Sequence, residues 1–164
     1  MELTVRIRFT TPCIGNVRRN DYDRMQRDTD GNVIFMPTWW RSAFLQAAQS
    51  LNKYHDKIKQ IRASLRVYGT LSRIKRRYGG AAHAYKIHEG YDVGAELEVN
   101  FLLPVGMTME EFGELLEVTG EYVGVSPYGW ADGYGHFDVL EVRRGGHRRD
   151  KEVGQRTADS TSAD

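Results

Sequence analysis

Leu3, Val5, Ile7 and Phe9 alternate with Thr4, Arg6, Arg8 and Thr10, so residues 2–10 predict a strand with one buried face and one wet face. The polar stretch 11–33 ends in "TDGN" and reads as a long loop or an excursion hairpin turning at Asp30-Gly31. Pro37 and Thr38 then open a helix, because Trp40, Phe44, Ala47, Ala48 and Leu51 return at helical spacing. The next run, "IRASLRVYGTLSRIKRRYGG", fits either a helix followed by a strand or a second basic helix, with extended chain expected around Leu65–Tyr68. Residues 84–103 predict a hairpin turning near Gly90. Its second arm has the clearest alternation, with Ala95, Leu97, Val99, Phe101 and Leu103 on one face and Glu96, Glu98 and Asn100 on the other. Thr108 followed by Glu111 makes a capping box, and Met109, Phe112, Leu115, Leu116 and Thr119 form the buried stripe of a second helix. Gly120 is expected at that helix's C′ position. A glycine- and aromatic-rich stretch, "GVSPYGWADGYGHF" at 124–137, leads into a last strand, "HFDVLEVRR". Residues 1–144 are expected to form one domain, and 145–164, polar and without aromatics, a disordered tail.

The order is strand, helix, strand, strand, helix, strand. That is the α+β, ferredoxin-like βαββαβ arrangement, an antiparallel sheet with two helices on one face. The fold hosts many functions and decides none. In this topology the first and third long strands are neighbours, so Arg6 and Arg8 should meet Glu96 and Glu98 as cross-strand ion pairs. A sheet face that stacks bases would carry aromatics there, so that mode of binding is rejected.

Charge adds more than composition does. The 164 residues include 40% hydrophobic and 27% charged positions, ordinary for a chain that buries one core, and the formal net charge is only +1. That balance hides two segments. Asp56–Tyr78 holds eight cationic side chains against one carboxylate, a net +7, and Asp92–Glu121 holds eight carboxylates and no Lys or Arg, a net −8. Either these segments pair within the monomer, or they form a polyanion site and a surface for another subunit. Cys13 is the only cysteine, so no internal disulfide forms, and a reducing compartment is expected. With no apolar run of about 18 residues, the expectation is a cytoplasmic protein without a membrane partner.

Most chemical readings fail on spacing. His55, His83, His88, His136 and His147 lack metal-ligand spacing, and the Asp21, Asp23, Asp28, Asp30 set lacks the glycine and closing glutamate of a calcium loop, so no cofactor is expected. No G-x-S-x-G elbow is present, and Cys13 reads as a small buried hydrophobe. "GWADGYG" has the wrong glycine spacing for a phosphate loop and leads into a strand. Single-stranded nucleic acid fits better, since such sites combine cations for the backbone with flat side chains for the bases. Arg73, Lys75, Arg76, Arg77 and Tyr78 supply one such set, and Tyr128, Trp130, Tyr134 and His136 another.

Three segments resemble the RAMP superfamily, known as backbone and processing subunits of CRISPR effector complexes. "RIRFTTPCIGN" is similar to that family's first strand and T-P-x-x-I-G turn. "DGNVIFMPTWWRSAFLQAA" resembles its I-P-G-S-S-x-K/R-G-A-x-R start of the first helix, through Pro37, Thr38, Arg41 and Ala43, although Trp39 and Trp40 stand where the family has small residues. "GVSPYGWADGYGHFDV" resembles its glycine-rich loop and following strand, through Gly133, Gly135, Phe137 and Val139. The resemblance implies a glycine-rich loop that lies against the first helix and approaches the nucleic-acid backbone, and it adds Arg18, Arg19, Thr38 and Arg41 to the candidate residues. It also implies assembly, as a homo-oligomer or with partner subunits. The chain is shorter than the family's backbone subunits, which fits a reduced relative from a phage or other mobile element. The leading expectation is non-catalytic binding of single-stranded RNA or DNA. The alternatives are a metal-independent endoribonuclease using His136, His83 or Tyr134, and an interaction protein that inhibits a host factor.

Overall fold

The computed structural model describes residues 1–19, 21–77, 85–128 and 132–145. In chain order the main elements are β1 (Glu2–Phe9), β2 (Cys13–Ile14), α1 (Pro37–Leu51), β3 (Arg62–Ala63), β4 (Ser72–Arg77), β5 (Tyr85–Tyr91), β6 (Glu96–Leu102), α2 (Met109–Val118) and β7 (Phe137–Arg144). The alternation in β1 buries Leu3, Val5, Ile7 and Phe9, and these face the apolar stripes of α1 and α2. Four strands form one sheet in the order β3-β6-β1-β7, every neighbour antiparallel. With one helix before β3 and one before β7, this is the ferredoxin-like arrangement that the pattern predicts. The core is aromatic at its centre. Trp40 of α1 lies 5.6 Å from Phe44, 5.1 Å from Phe101 of β6 and 6.1 Å from Phe137 of β7, ring centre to ring centre.

Local signals hold at several ends. Thr108 accepts a hydrogen bond from the Glu111 amide and caps α2. The Asp30-Gly31 turn forms, with Asp28 accepting from the amides of Asp30 and Asn32 and Arg27 bridging to Val33. On the outer sheet face Arg6 sits opposite Glu98 and its guanidinium reaches Glu96 at 2.9 Å and Glu141 at 3.6 Å.

Two expectations are corrected. Residues 84–103 are not a hairpin turning near Gly90. The chain turns after Tyr91, through Asp92–Ala95, and its two arms enter different sheets. β5 joins β2 and β4 in a second, three-stranded sheet of order β2-β5-β4. Gly90 is a strand position there, and a side chain on it would strike the Cys13 carbonyl of β2. The ferredoxin position assigned to the first hairpin arm is filled by the short β3, with Tyr68 bridging to Glu98 beyond it. Gly120 is not a C′ residue either. The helix continues as a wider turn, Thr119–Val123, and the backbone first turns left-handed at Gly124 (φ 85°). Gly120 is small because Phe137 of β7 packs directly on it.

The basic middle resolves as a short 3-10 turn (Ile58–Gln60) and strands, not a second helix. Part of the opposite charge pairs internally: Lys57 reaches Glu111 at 3.2 Å and Lys53 reaches Glu114 at 3.4 Å. Beyond Gly145, which donates its amide to Glu2 of β1, the expected tail lies outside the described residues.

Candidate nucleic-acid interface

The helical period of α1 that buries Trp40, Phe44 and Ala47 places Trp39 and Ser42 on the flank of the helix, beside exposed Thr38 at its start. The described parts of the glycine-rich stretch, 124–128 and 132–137, fold against that flank. Gly124 (φ 85°) and Gly135 (φ 77°) lie on its two limbs, and the amide of Val125 bonds the Gly135 carbonyl at 2.9 Å. A side chain at Gly124 would strike the Tyr134 carbonyl, and one at Gly135 the Val125 carbonyl. These two glycines therefore let the limbs close on each other. Between α1 and the closed loop lies a cleft of about 380 Å³. Thr38, Trp39 and Ser42 line it from α1, Ser126, Tyr128 and Asp132 from the loop, and Asn16 also lines it.

The second sheet reaches this cleft through Arg76. Strand alternation sends Arg73, Lys75 and Arg77 to one face of β4, all exposed, and Ile74 and Arg76 to the other. The predicted cation cluster is thus two surfaces. On the inner side the Arg76 guanidinium stacks over the Tyr128 ring at 4.3 Å, and its Nε donates to Nε2 of His88 at 3.2 Å. His88 is fully buried, its Nδ1 donates to the Gly15 carbonyl at 2.6 Å, and its ring meets Tyr128 edge-on at 5.5 Å. Burial, with the positive charges of Arg76 and Lys86, pushes the His88 pKa below its ordinary value, against the Gly15 bond and Asp23, which raise it. The neutral ring is the form that accepts from Arg76.

On the outer face cations and aromatics interleave. Arg73 lies over the Tyr22 ring at 4.4 Å, with Arg24 over the same ring at 4.8 Å, and Lys75 lies over Tyr85 at 4.3 Å. Arg27 clamps Glu89 of β5 with two bonds of 2.7 Å, which ties the excursion 11–33 to this sheet. Burial raises the Glu89 pKa, but Arg27 and the Met25 amide outweigh it and hold the carboxyl below its usual range.

Of the predicted residues, the structure brings Thr38, Tyr128, Tyr134 and Arg76 together at or beside the cleft. Tyr134 packs on Tyr128, ring centres 6.3 Å apart. His136 sits behind the loop: its Nδ1 lies 3.2 Å from the Gly120 carbonyl and 3.0 Å from that of Glu121, and its amide bonds Thr11. Arg41 is exposed on α1, and Arg18 and Arg19 are exposed after β2, where Arg19 donates to the Arg18 carbonyl. Tyr78, His83 and Trp130 lie outside the described residues. Sequence reasoning missed Trp39, Ser42, Asn16, Asp132, Tyr22 and Tyr85 as surface-forming residues. For Trp39 and Ser42 a signal existed, the three-residue spacing one step off the buried stripe. Tyr22 gave none, because it reaches Arg73 only through the pairing of the excursion with β5. Cys13 is buried as predicted, with its thiol against the Val125 carbonyl, and burial pushes its pKa far up. Among the described residues no helix is long and apolar enough to cross a membrane.

No protein-family model and no curated protein matches the chain. A solved structure does: a chain of the type III-B Cmr-beta complex bound to cognate target RNA superimposes with a TM-score of 0.60 at 9% sequence identity. The match covers 87% of this chain and 59% of that one, so this chain spans less than two thirds of its neighbour's length. At that identity the likeness is one of fold.

Proposed function

We propose that this protein binds single-stranded nucleic acid without cleaving it, as a small RAMP-type subunit that lines a strand together with neighbouring copies or partner subunits. The observation that carries this reading is the cleft between α1 and the glycine-rich loop, walled by Trp39 and Tyr128, with Arg76 of the basic strand stacked on Tyr128. Flat walls take bases, and the adjoining cations take phosphates. The shared fold with a chain of an RNA-bound CRISPR-type assembly supports the same reading. The processing-nuclease alternative has less support, because the His136 Nδ1 is held by the Gly120 and Glu121 carbonyls of the turn after α2, and His136 does not line the cleft.

Fluorescence anisotropy with labelled single-stranded RNA, single-stranded DNA and duplex of equal length, across a salt series, tests it. Single strands should bind more tightly than duplex, with affinity falling as salt rises. Tyr128→Ala should weaken single-strand binding by about 1–3 kcal/mol, the usual value of one stacked base. Equal binding of duplex and single strand, or none of either, would refute the reading.

A further inference from the structure

We propose that the cleft between α1 and the glycine-rich loop holds one unstacked base and selects guanine, with Asp132 as the specificity-determining residue. This rests on the single-strand reading and adds a base preference to it. None of the described residues lining the cleft is Lys, Arg or His, so the cleft itself is no phosphate subsite. The cations stand outside it, with Arg76 behind Tyr128. Among the described residues the lining includes a flat side chain from each element, Trp39 and Tyr128, with short polar groups and one carboxylate, Asp132. A volume of about 380 Å³ admits a nucleobase with its sugar.

The polar groups carry the selectivity. Ser126 is engaged locally, its hydroxyl lying 3.4 Å from the Ile14 carbonyl and 3.4 Å from the Tyr128 amide. Asn16, Ser42 and Asp132 line the cleft and are exposed. Asn16 and Ser42 both donate and accept, so they suit any base edge. An ionised carboxylate only accepts. Guanine alone among the common bases presents two adjacent N–H donors, N1–H and the N2 amino group, and one carboxylate takes both in parallel. Adenine and cytosine each set one amino group beside an acceptor nitrogen that repels the second carboxylate oxygen. Uracil flanks its single N–H with two carbonyls. A charged, bidentate contact is the strong kind, and single-stranded segments expose these edges for reading.

The test uses the full chain and labelled uridine-tract RNAs of about 16 nucleotides, the upper end of what one single-strand-binding module of other folds occupies. Each carries one central G, A or C, or none. The guanine oligonucleotide should bind about tenfold more tightly than the others. Asp132→Asn, which keeps the shape and replaces one acceptor oxygen with a donor, should remove that advantage and move the preference toward adenine and cytosine. Equal affinity for all four, or an Asp132→Asn loss shared equally by all four, would overturn the base preference while leaving single-strand binding standing. Failure of every oligonucleotide to bind would overturn both readings.

Discussion

His88 shows how one side chain can tie a basic strand to a cleft. Its two ring bonds, to the Gly15 carbonyl and from Arg76, require the neutral ring with its proton on Nδ1. The charged groups facing it are Arg76 from β4, Lys86 from β5 and Asp23 from the excursion, and Tyr128 closes the remaining side. Because burial and the two cations lower its pKa from 6.5, the unfolded chain takes up a proton at higher pH than the folded one. Its contribution to stability is therefore fully present above pH 6.5 and is lost as pH falls from there toward the folded value. Glu89, lowered from 4.5, adds a second loss further down, below that value. The urea midpoint should thus fall between pH 7 and pH 5, and His88→Gln should flatten that part of the profile. An unchanged profile in the variant would mean that other groups carry the acid sensitivity. At this scale some residues were legible and some were not. Cys13 was readable as a buried hydrophobe because a lone cysteine following Pro12 near a strand end is more often a small buried apolar residue than a nucleophile. Trp39 and Trp40 are adjacent in sequence, yet one lines the cleft and the other fills the core. Only the helical period separates them.

The element β4 carries a different lesson. "SRIKRR" reads as one basic run, but a strand divides it by parity. Arg73, Lys75 and Arg77 share the exposed face, with Tyr22 and Tyr85 beneath the first two, while Arg76 turns inward to His88 and Tyr128. The two sets should fail differently. Changing Arg73, Lys75 and Arg77 together to Ala should lower the slope of log affinity against log salt by about 2, at roughly 0.7 for each phosphate left without its cation. Arg76→Ala should act chiefly through Tyr128, weakening binding and reducing the influence of the base type in the cleft. A triple variant with the parent slope would reduce the outer face to a solvated surface. The hairpin reading of 84–103 likewise expected extended chain where β5 runs, and gave it the wrong partner. Local pattern states that a segment is extended and which face is apolar. It does not state which strand lies beside it, and here Gly90 admits β2 where a hairpin reading expects a turn.

At the scale of the whole molecule, three strands of the four-stranded sheet, β1, β6 and β7, were legible because each has a strong period and the βαββαβ order permits few arrangements; the fourth, β3, is two residues long and carries no period. The second sheet was not, since it depends on the two-residue β2 and on an excursion whose pairings are long-range. That sheet bears on assembly. Its outer face presents Arg73, Lys75 and Arg77, while α2 presents Glu110 and Glu117 to solvent; Glu111 and Glu114 are already engaged by Lys57 and Lys53. Internal pairing thus uses only part of the opposite charge, and two unlike surfaces of opposite sign remain on one chain. Unlike surfaces meet head to tail, and such contacts propagate unless the rotation closes a ring. Exposed ion pairs are individually weak and screened by salt, so these charges alone should leave the free protein monomeric at physiological ionic strength. A bound strand changes the balance by holding several copies side by side at high local concentration. Light scattering should therefore show a monomer alone and a multimer on an oligonucleotide of about 30 nucleotides, long enough for two or more sites. Glu110→Lys with Glu117→Lys should reduce the multimer while leaving binding to a single-site oligonucleotide intact. A monomer in both samples at low salt would show that strand binding does not bring copies into contact, and that the exposed glutamates serve no neighbouring copy.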